Sequence, residues 1–207
     1  MRLFLDNDII LKLSSIGLLP EIEKIFNTTP DLIYILPNAI NYISKSSSVK
    51  KNYSQKVIDD AISVIKNYKA IPDEFIDQNR FIRLSNIDNI DSGEQLLFSL
   101  TPTSTDFLIL TGDKKSLTQL NNDPNIYDIK DELTQKIVCL EFLVLKLLDL
   151  STFQDISQKI IVSNYCKDTF IRIIFRQNNL TAENAKEGLM SYYNDLKSNS
   201  GSLLLDL

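Results

Sequence analysis

Short, fully apolar runs that end on an acidic residue are the feature of this chain that most restricts its fold. The motif RLFLD ends at Asp6, and the motif FLILTGD ends at Asp113. Runs of this kind are typical of strands that are buried on both faces. Segments with helical spacing of apolar residues, such as Gln55 to Tyr68, lie between them. This alternation predicts an α/β fold with a central parallel sheet flanked by helices.

The same apolar patterns predict the order of the strands and helices. We expect strands at residues 2–6, 32–36, 107–110 and 137–140, a weak edge strand at 81–84, and a polar loop at 44–51. The intervening helices are expected at 9–13, 20–26, 38–43, 55–68, 94–100, 114–120 and 141–148.

After about Leu150 the pattern becomes purely helical, with helices expected at 153–165, 169–176 and 182–196. We therefore divide the chain into an α/β domain at 1–150 and a C-terminal helical extension at 151–207, which packs on the domain or on a partner. The final SLLLDL segment is too apolar for a solvated tail, so it should dock, on this chain in preference to a partner.

Composition removes several kinds of chemistry. The chain of 207 residues contains no histidine, which excludes Ser-His-Asp and Cys-His catalysis and nearly all catalytic zinc sites. Five glycines are too few and too scattered for a phosphate-binding loop or a dinucleotide fingerprint. Cys139 and Cys166 lack metal-ligand spacing, and we interpret them as core thiols in a reducing cytoplasm.

No membrane segment is expected. Asp6 and Asp8 interrupt the N-terminal apolar stretch where a signal peptide would need its centre. The longest apolar segment, at 137–150, is too short to span a bilayer and contains charged residues. The net charge of −5 neither supports nor excludes an RNA ligand, because local basic clusters can still bind phosphates.

Three acidic residues are expected to converge on one site. Asp6 and Asp113 follow strands, and Glu94 begins a helix within the segment IDSGE. Ligand sites of open α/β sheets lie at the carboxyl ends of the strands, and clustered carboxylates repel one another unless a divalent cation is present. The sequence therefore predicts a Mg²⁺ or Mn²⁺ site, although each acid alone also suits a helix cap or the first turn of a helix.

Three motifs in order, LFLDNDIILKL, SGEQLLFSL and LILTGDKKSL, make residues 1–150 similar to the PIN-domain family, which includes toxin ribonucleases of bacterial toxin–antitoxin pairs. The resemblance implies a three-layer fold and Mg²⁺- or Mn²⁺-dependent hydrolysis of RNA. It implies Asp6, Glu94 and Asp113 as catalytic, metal-binding acids, with Asp8 near the metal.

One departure from the family's pattern affects this interpretation. The family usually places a glutamate on the helix after the second strand, where Asn41 is the best match here. An asparagine adds no charge and cannot act as a base, so a catalytically degenerate RNA- or protein-binding module is the alternative function. Glu141, after the apolar run IVCL, either supplies a compensating metal ligand or is an ordinary first-turn acid.

The remaining expectations concern partners. Lys50, Lys51, Lys114 and Lys115 are candidate contacts to RNA phosphates, as are Arg80 and Arg83, or they are ordinary surface charges. The resemblance allows for a homodimer and for an antitoxin or other protein partner, with the helices after Leu150 as the contact surface.

A second resemblance gives a rival function. LFLDNDII is also similar to the DxD motif of haloacid-dehalogenase-like phosphatases. Asp6 would then be a nucleophile, Asp8 a general acid and Thr111 a phosphate contact. This interpretation leaves Gly93 and Glu94 unexplained, so the nuclease is preferred.

Overall fold

The protein has a five-stranded, all-parallel sheet at its centre. A computed structural model describes residues 1–101, 106–163 and 168–207. The strands, in chain order, are β1 (Arg2–Leu5), β2 (Ile33–Ile35), β3 (Lys69–Ala70), β4 (Phe107–Leu110) and β5 (Ile137–Val138). Their order across the sheet is β3-β2-β1-β4-β5. Helices flank this sheet, so the expected three-layer α/β class is confirmed.

The two strands that carry the acidic motifs are neighbours at the centre of the sheet. Leu5 of β1 is in register with Ile35 of β2 on one side and with Leu110 of β4 on the other. All residues of β4 and all but the first of β1 are buried, because helices cover both faces. Phe4 stacks on Tyr34 with ring centroids 5.1 Å apart. Since Leu5 pairs with Leu110, β1 and β4 end side by side at the same edge of the sheet.

Helices connect the strands and extend beyond them. Those between β1 and β4 are α1 (Asn7–Ser15), α2 (Ile22–Ile25), α3 (Ala39–Lys45), α4 (Ser47–Asn52), α5 (Gln55–Ile65), α6 (Gln78–Leu84) and α7 (Ser92–Phe98). Those after β4 are α8 (Lys114–Asn122), α9 (Tyr127–Glu132), α10 (Leu140–Leu150), α11 (Phe153–Val162), α12 (Thr169–Phe175) and α13 (Ala182–Ser200). Single 3₁₀ turns occur at 19–21, 30–32, 73–75 and 124–126.

Two expectations about local structure are wrong. The segment expected as an edge strand at 81–84 belongs to α6, which begins because Asp77 accepts hydrogen bonds from the amides of Asn79 and Arg80. The segment expected as a polar loop at 44–51 contains most of α4, which Ser46 caps through the amide of Val49. The true edge strand, β3, and helix α9 were not expected.

The C-terminal residues dock on the sheet, as predicted. Helix α13 packs on α10 and α8, and the chain then runs parallel to β5. The amide of Ile137 donates to the carbonyl of Leu203, and the amide of Leu205 donates to the carbonyl of Ile137. Leu203 and Leu204 are fully buried. These residues cover the outer edge of β5.

Cys139 is a free, buried thiol, whereas Cys166 and the end of the helix expected at 153–165 lie outside the described residues. Across the described ranges, every helix is too short or too polar to cross a membrane.

Candidate acidic site

A cleft opens at the carboxyl ends of β1, β2 and β4. Its volume is about 810 Å³. Within the described part of the chain, five carboxylates line it: Asp6, Asp8, Asp91, Glu94 and Asp113. The structure therefore brings Asp6, Glu94 and Asp113, which were expected to converge, to one cleft.

Asp6 is placed by the central strands. Its amide donates to the carbonyl of Leu110 at 3.0 Å, which continues the pairing of β1 with β4 by one residue. The hydroxyl of Thr111 donates to Asp6 Oδ2 at 3.3 Å. The side chain is only 8% exposed. A carboxylate is thus held at the floor of the cleft, where few water molecules can solvate it.

Glu94 reaches the same cleft on α7. Asp91 caps this helix through the amides of Gly93 and Glu94, and Glu94 Oε2 accepts the amide of Asp91 at 2.9 Å. This reciprocal capping box holds Glu94 at 3% exposure. A methyl group on Gly93 would lie 3.0 Å from Leu36 Cδ1, so glycine lets α7 approach the end of β2 closely.

Asp113 lies where β4 leads into α8. Its Oδ1 accepts hydrogen bonds from the amides of Lys115 and Ser116, so the residue is the N-cap of this helix. The second carboxylate oxygen takes no part in the cap. The sequence suggested either a helix cap or a site acid at this position. Asp113 is the cap of α8 and also lines the cleft.

Burial makes the ionised forms of two of these acids costly. Burial, together with the charges of Asp8 and Asp91, raises the pKa of Asp6 to about 7. Burial, together with the charges of Asp113 and Asp91, raises the pKa of Glu94 to about 8. Perturbed carboxylates in a cleft are typical of functional sites, although ion-pair networks also produce them.

Lys12 is a cationic residue of the site that the sequence did not suggest. Its ammonium lies 2.8 Å from Asp8 Oδ2, 3.3 Å from Asp168 Oδ2 and 3.3 Å from the carbonyl of Gly112. Burial lowers the pKa of Lys12, but the carboxylates of Asp8 and Asp168 outweigh it and raise the pKa above its ordinary value. The spacing Asp8–Lys12 at i,i+4 is the only signal that the sequence contains for this contact.

Two candidate ligands lie elsewhere. Glu141 does not line the cleft in the described structure; it is fully buried and forms an ion pair with Lys114. The reason is that β5 ends at Val138 and Cys139 is the N-cap, which places Glu141 inside α10 beside α8. Asn41 is exposed and also lies outside the lining, where the same helix presents Asn38 and Tyr42 instead.

The basic candidates do not line the cleft either. The ammonium of Lys114 lies 4.0 Å from the ring centroid of Phe170, in addition to its pairing with Glu141. Arg80 and Arg83 form ion pairs with Glu132 and Asp128, respectively. Lys50, Lys51 and Lys115 are exposed, as a surface charge or a phosphate contact would be.

The donor set suits a hard divalent cation. Carboxylate and amide oxygens are the ligands that Mg²⁺ prefers, and Mn²⁺ suits the same donors. Beside Asp6, Asn7 lines the cleft, and its amide oxygen is buried and accepts no hydrogen bond from the described residues. With the side chains in their present positions, no three or more of the described Asp, Glu and Cys residues are arranged to hold a metal ion together. Binding would therefore require the carboxylates to move together.

Comparison with protein-family models, with curated proteins and with solved structures finds no match. The fold and the acidic cleft define a parallel α/β protein with a candidate site at the carboxyl ends of its central strands.

Proposed function

We propose that this protein is a Mg²⁺- or Mn²⁺-dependent endoribonuclease that hydrolyses RNA phosphodiester bonds. The observation that carries the proposal is the convergence of Asp6, Glu94 and Asp113 from β1, α7 and β4 on one cleft. The choice of RNA rests on the resemblance of the three motifs to the PIN-domain family.

The roles of the residues follow from their positions. Asp6, Glu94 and Asp113 would hold the cation, with the buried amide oxygen of Asn7 as a neutral ligand. A bound cation of this kind lowers the pKa of a water molecule and offsets charge on the leaving oxygen. Asp6 and Glu94 must lose their protons to bind it, because both have a raised pKa.

Asp8 distinguishes the nuclease from the phosphatase. A phosphatase of the DxD type needs Asp8 as a proton donor. In the structure Asp8 Oδ2 already forms an ion pair with the ammonium of Lys12 at 2.8 Å, a contact to which the phosphatase assigns no role. The phosphatase also assigns no role to Glu94, which is buried in the cleft. Both observations favour the nuclease.

The test combines metal binding with RNA cleavage. We expect calorimetric titration at pH 8 to show saturable Mn²⁺ binding to the wild-type protein. Binding and cleavage of a single-stranded RNA should both be lost in Asp6→Asn/Asp113→Asn and retained in the control Asp60→Asn, an exposed acid of α5 outside the cleft. EDTA should abolish cleavage, and added Mn²⁺ should restore it.

Two outcomes would overturn the nuclease. Cleavage that survives in the double variant would mean that the acidic cleft is not the active site. Absence of Mn²⁺ binding to the wild-type protein at several millimolar would favour the catalytically degenerate binding module.

A further inference from the structure

One wall of the cleft carries an uncharged amide and an aromatic ring, contributed by Asn38 and Tyr42. Asn38 occupies the N-cap position of α3, but its side chain makes no capping hydrogen bond. Asparagine at this position normally caps the helix, but here the amide makes neither the cap nor another hydrogen bond to the described residues, and Asn38 lines the cleft. Tyr42 lies four residues later on the same side of α3, is 45% exposed and also lines the cleft.

The charges of the cleft restrict how a nucleic acid enters it. Lys12 is the single cationic side chain in its described lining, and its ammonium is already bound to Asp8, Asp168 and the carbonyl of Gly112. Five carboxylates face the same space. The described lining therefore offers no track of cationic side chains for a run of phosphates, so contacts to the bases should contribute to binding inside the cleft.

The ring of Tyr42 and the amide of Asn38 supply what a base requires. Proteins recognise single-stranded RNA by stacking unpaired bases on aromatic rings and by hydrogen-bonding their edges. An amide offers one acceptor and two donors, which suits a base edge. The cleft volume of about 810 Å³ lies within the range of small-ligand pockets. It suits an extruded nucleotide.

Helix α4 carries two cations outside the lining of the cleft. Helix α4 follows α3 directly, and its residues Ser48, Val49 and Asn52 line the cleft. Lys50 and Lys51 of this helix are exposed and lie outside the lining, so a strand that leaves the cleft across α4 would pass them. This arrangement favours a nucleotide within a strand over a free nucleobase.

We propose that Asn38 and Tyr42 form a base-binding subsite for single-stranded RNA beside the acidic site. Tyr42 stacks on one unpaired base, and Asn38 hydrogen-bonds the edge of that base. The subsite rests on the proposed function in taking RNA as the substrate, and it deepens that function by making base identity a determinant of binding.

The test measures fluorescence anisotropy with labelled RNA hexamers. The probes are oligo-A, oligo-C and oligo-U, and a hexamer with abasic sugars at every position. All proteins carry Asp6→Asn/Asp113→Asn, so that cleavage does not consume the probe. We expect this parent protein to bind its preferred hexamer about tenfold more tightly than the abasic one, as expected for one stacked base. Tyr42→Ala should remove this difference, and Tyr42→Phe should retain it.

Further variants separate base reading from stacking. Asn38→Ala should reduce the differences in affinity among the three base-containing hexamers while leaving all of them tighter than the abasic probe. Tyr127→Ala serves as the control, because Tyr127 is 69% exposed and does not line the cleft. It should match the parent protein.

The failures of the two proposals are distinguishable. If Tyr42→Ala binds every hexamer as the parent does, the subsite is wrong, even where the wild-type protein cleaves RNA through its acids. If the preference for bases depends on Tyr42 but the wild-type protein neither binds Mn²⁺ nor cleaves RNA, the subsite stands and the nuclease is wrong.

Discussion

When they are ionised, Asp6 and Glu94 reduce the stability of the fold that holds them. An acid whose pKa is higher in the folded state than in the unfolded state stabilises the fold below its unfolded pKa, and this stabilisation is lost as the pH rises through the folded value. The pKa of Asp6 is 3.8 in the unfolded state and about 7 in the folded state. The corresponding pKa values of Glu94 are 4.5 and about 8. In the absence of metal, the free energy of unfolding should therefore fall between about pH 4 and pH 8.

Asp6→Asn should stabilise the metal-free protein at pH 8. The asparagine keeps the shape and the acceptor for Thr111 but removes a buried charge, so we expect the free energy of unfolding to rise by about 1–3 kcal/mol. At about pH 4, close to the unfolded pKa of 3.8, the gain should largely disappear, because Asp6 is then protonated in the folded state and much of it is protonated in the unfolded state. Urea denaturation in EDTA measures both values, with Asp60→Asn as the control. An equal or lower stability of Asp6→Asn at pH 8 contradicts the assigned burial cost.

Mn²⁺ binding should strengthen as the pH rises from 6 to 8.5. Asp6 and Glu94 are largely protonated at the lower end, and the cation must displace these protons. Calorimetric titration in two buffers of different ionisation enthalpy measures both the affinity and the number of protons released. An affinity independent of pH, with no proton release, would show that these two acids are not the ligands.

Lys12 joins three parts of the chain at the level of elements. It belongs to α1, and its ammonium contacts the loop after β4 at Gly112 and the N-cap of α12 at Asp168. A side chain on Gly112 would place its Cβ 2.6 Å from Asp8 Oδ2, so glycine leaves room for the Asp8–Lys12 pair. The C-terminal helices are thereby connected to the acidic cleft.

Lys12→Met should destabilise the protein by about 3 kcal/mol, because it leaves the buried carboxylate of Asp168 without this cation. Adding Asp168→Asn should recover part of the loss, since asparagine retains the cap of α12 without the charge. Chemical denaturation of the two single variants and the double variant gives the coupling energy. Additive effects would mean that the contact does not connect these elements.

How far the sequence predicts the elements depends on the kind of signal. The strands β1, β2, β4 and β5 were found because a buried parallel strand is a short apolar run. The edge strand β3 has only two residues, both exposed, and therefore no such signal. Helix α6 was mistaken for a strand because Phe81, Ile82 and Leu84 form a short run that fits either period.

The candidate site follows the same division. Asp6 and Asp113 were predictable because they follow strands, and Glu94 because it begins a helix. Lys12, Asn38 and Tyr42 reach the cleft through the packing of α1 and α3, which no local pattern in the sequence reports. Glu141 lies in the first turn of α10, as one of its two interpretations stated, while its ion pair with Lys114 of α8 is a tertiary contact that no local pattern predicts.

At the scale of the whole molecule, the C-terminal segment completes the sheet. Residues after Gly201 return from α13 to the open edge of β5, where the carbonyl of Leu205 also accepts a hydrogen bond of 2.6 Å from the hydroxyl of Tyr193. An uncovered edge of a parallel sheet exposes unpaired backbone groups and promotes association between copies. Because β1 and β5 both pair with β4, the first strand and the docked C-terminal segment belong to the same sheet.

Removal of residues 203–207 should destabilise the protein by about 3–5 kcal/mol, because the deletion removes the buried side chains of Leu203 and Leu204 and uncovers the apolar surface on which they pack. The exposed edge of β5 should also increase self-association. Chemical denaturation measures the first effect, and sedimentation velocity over a range of concentrations measures the second. Removal of Leu207 alone is the control, because this side chain is 41% exposed and should contribute little. If the shortened protein is as stable and as monodisperse as the full chain, the docked segment does not support the sheet.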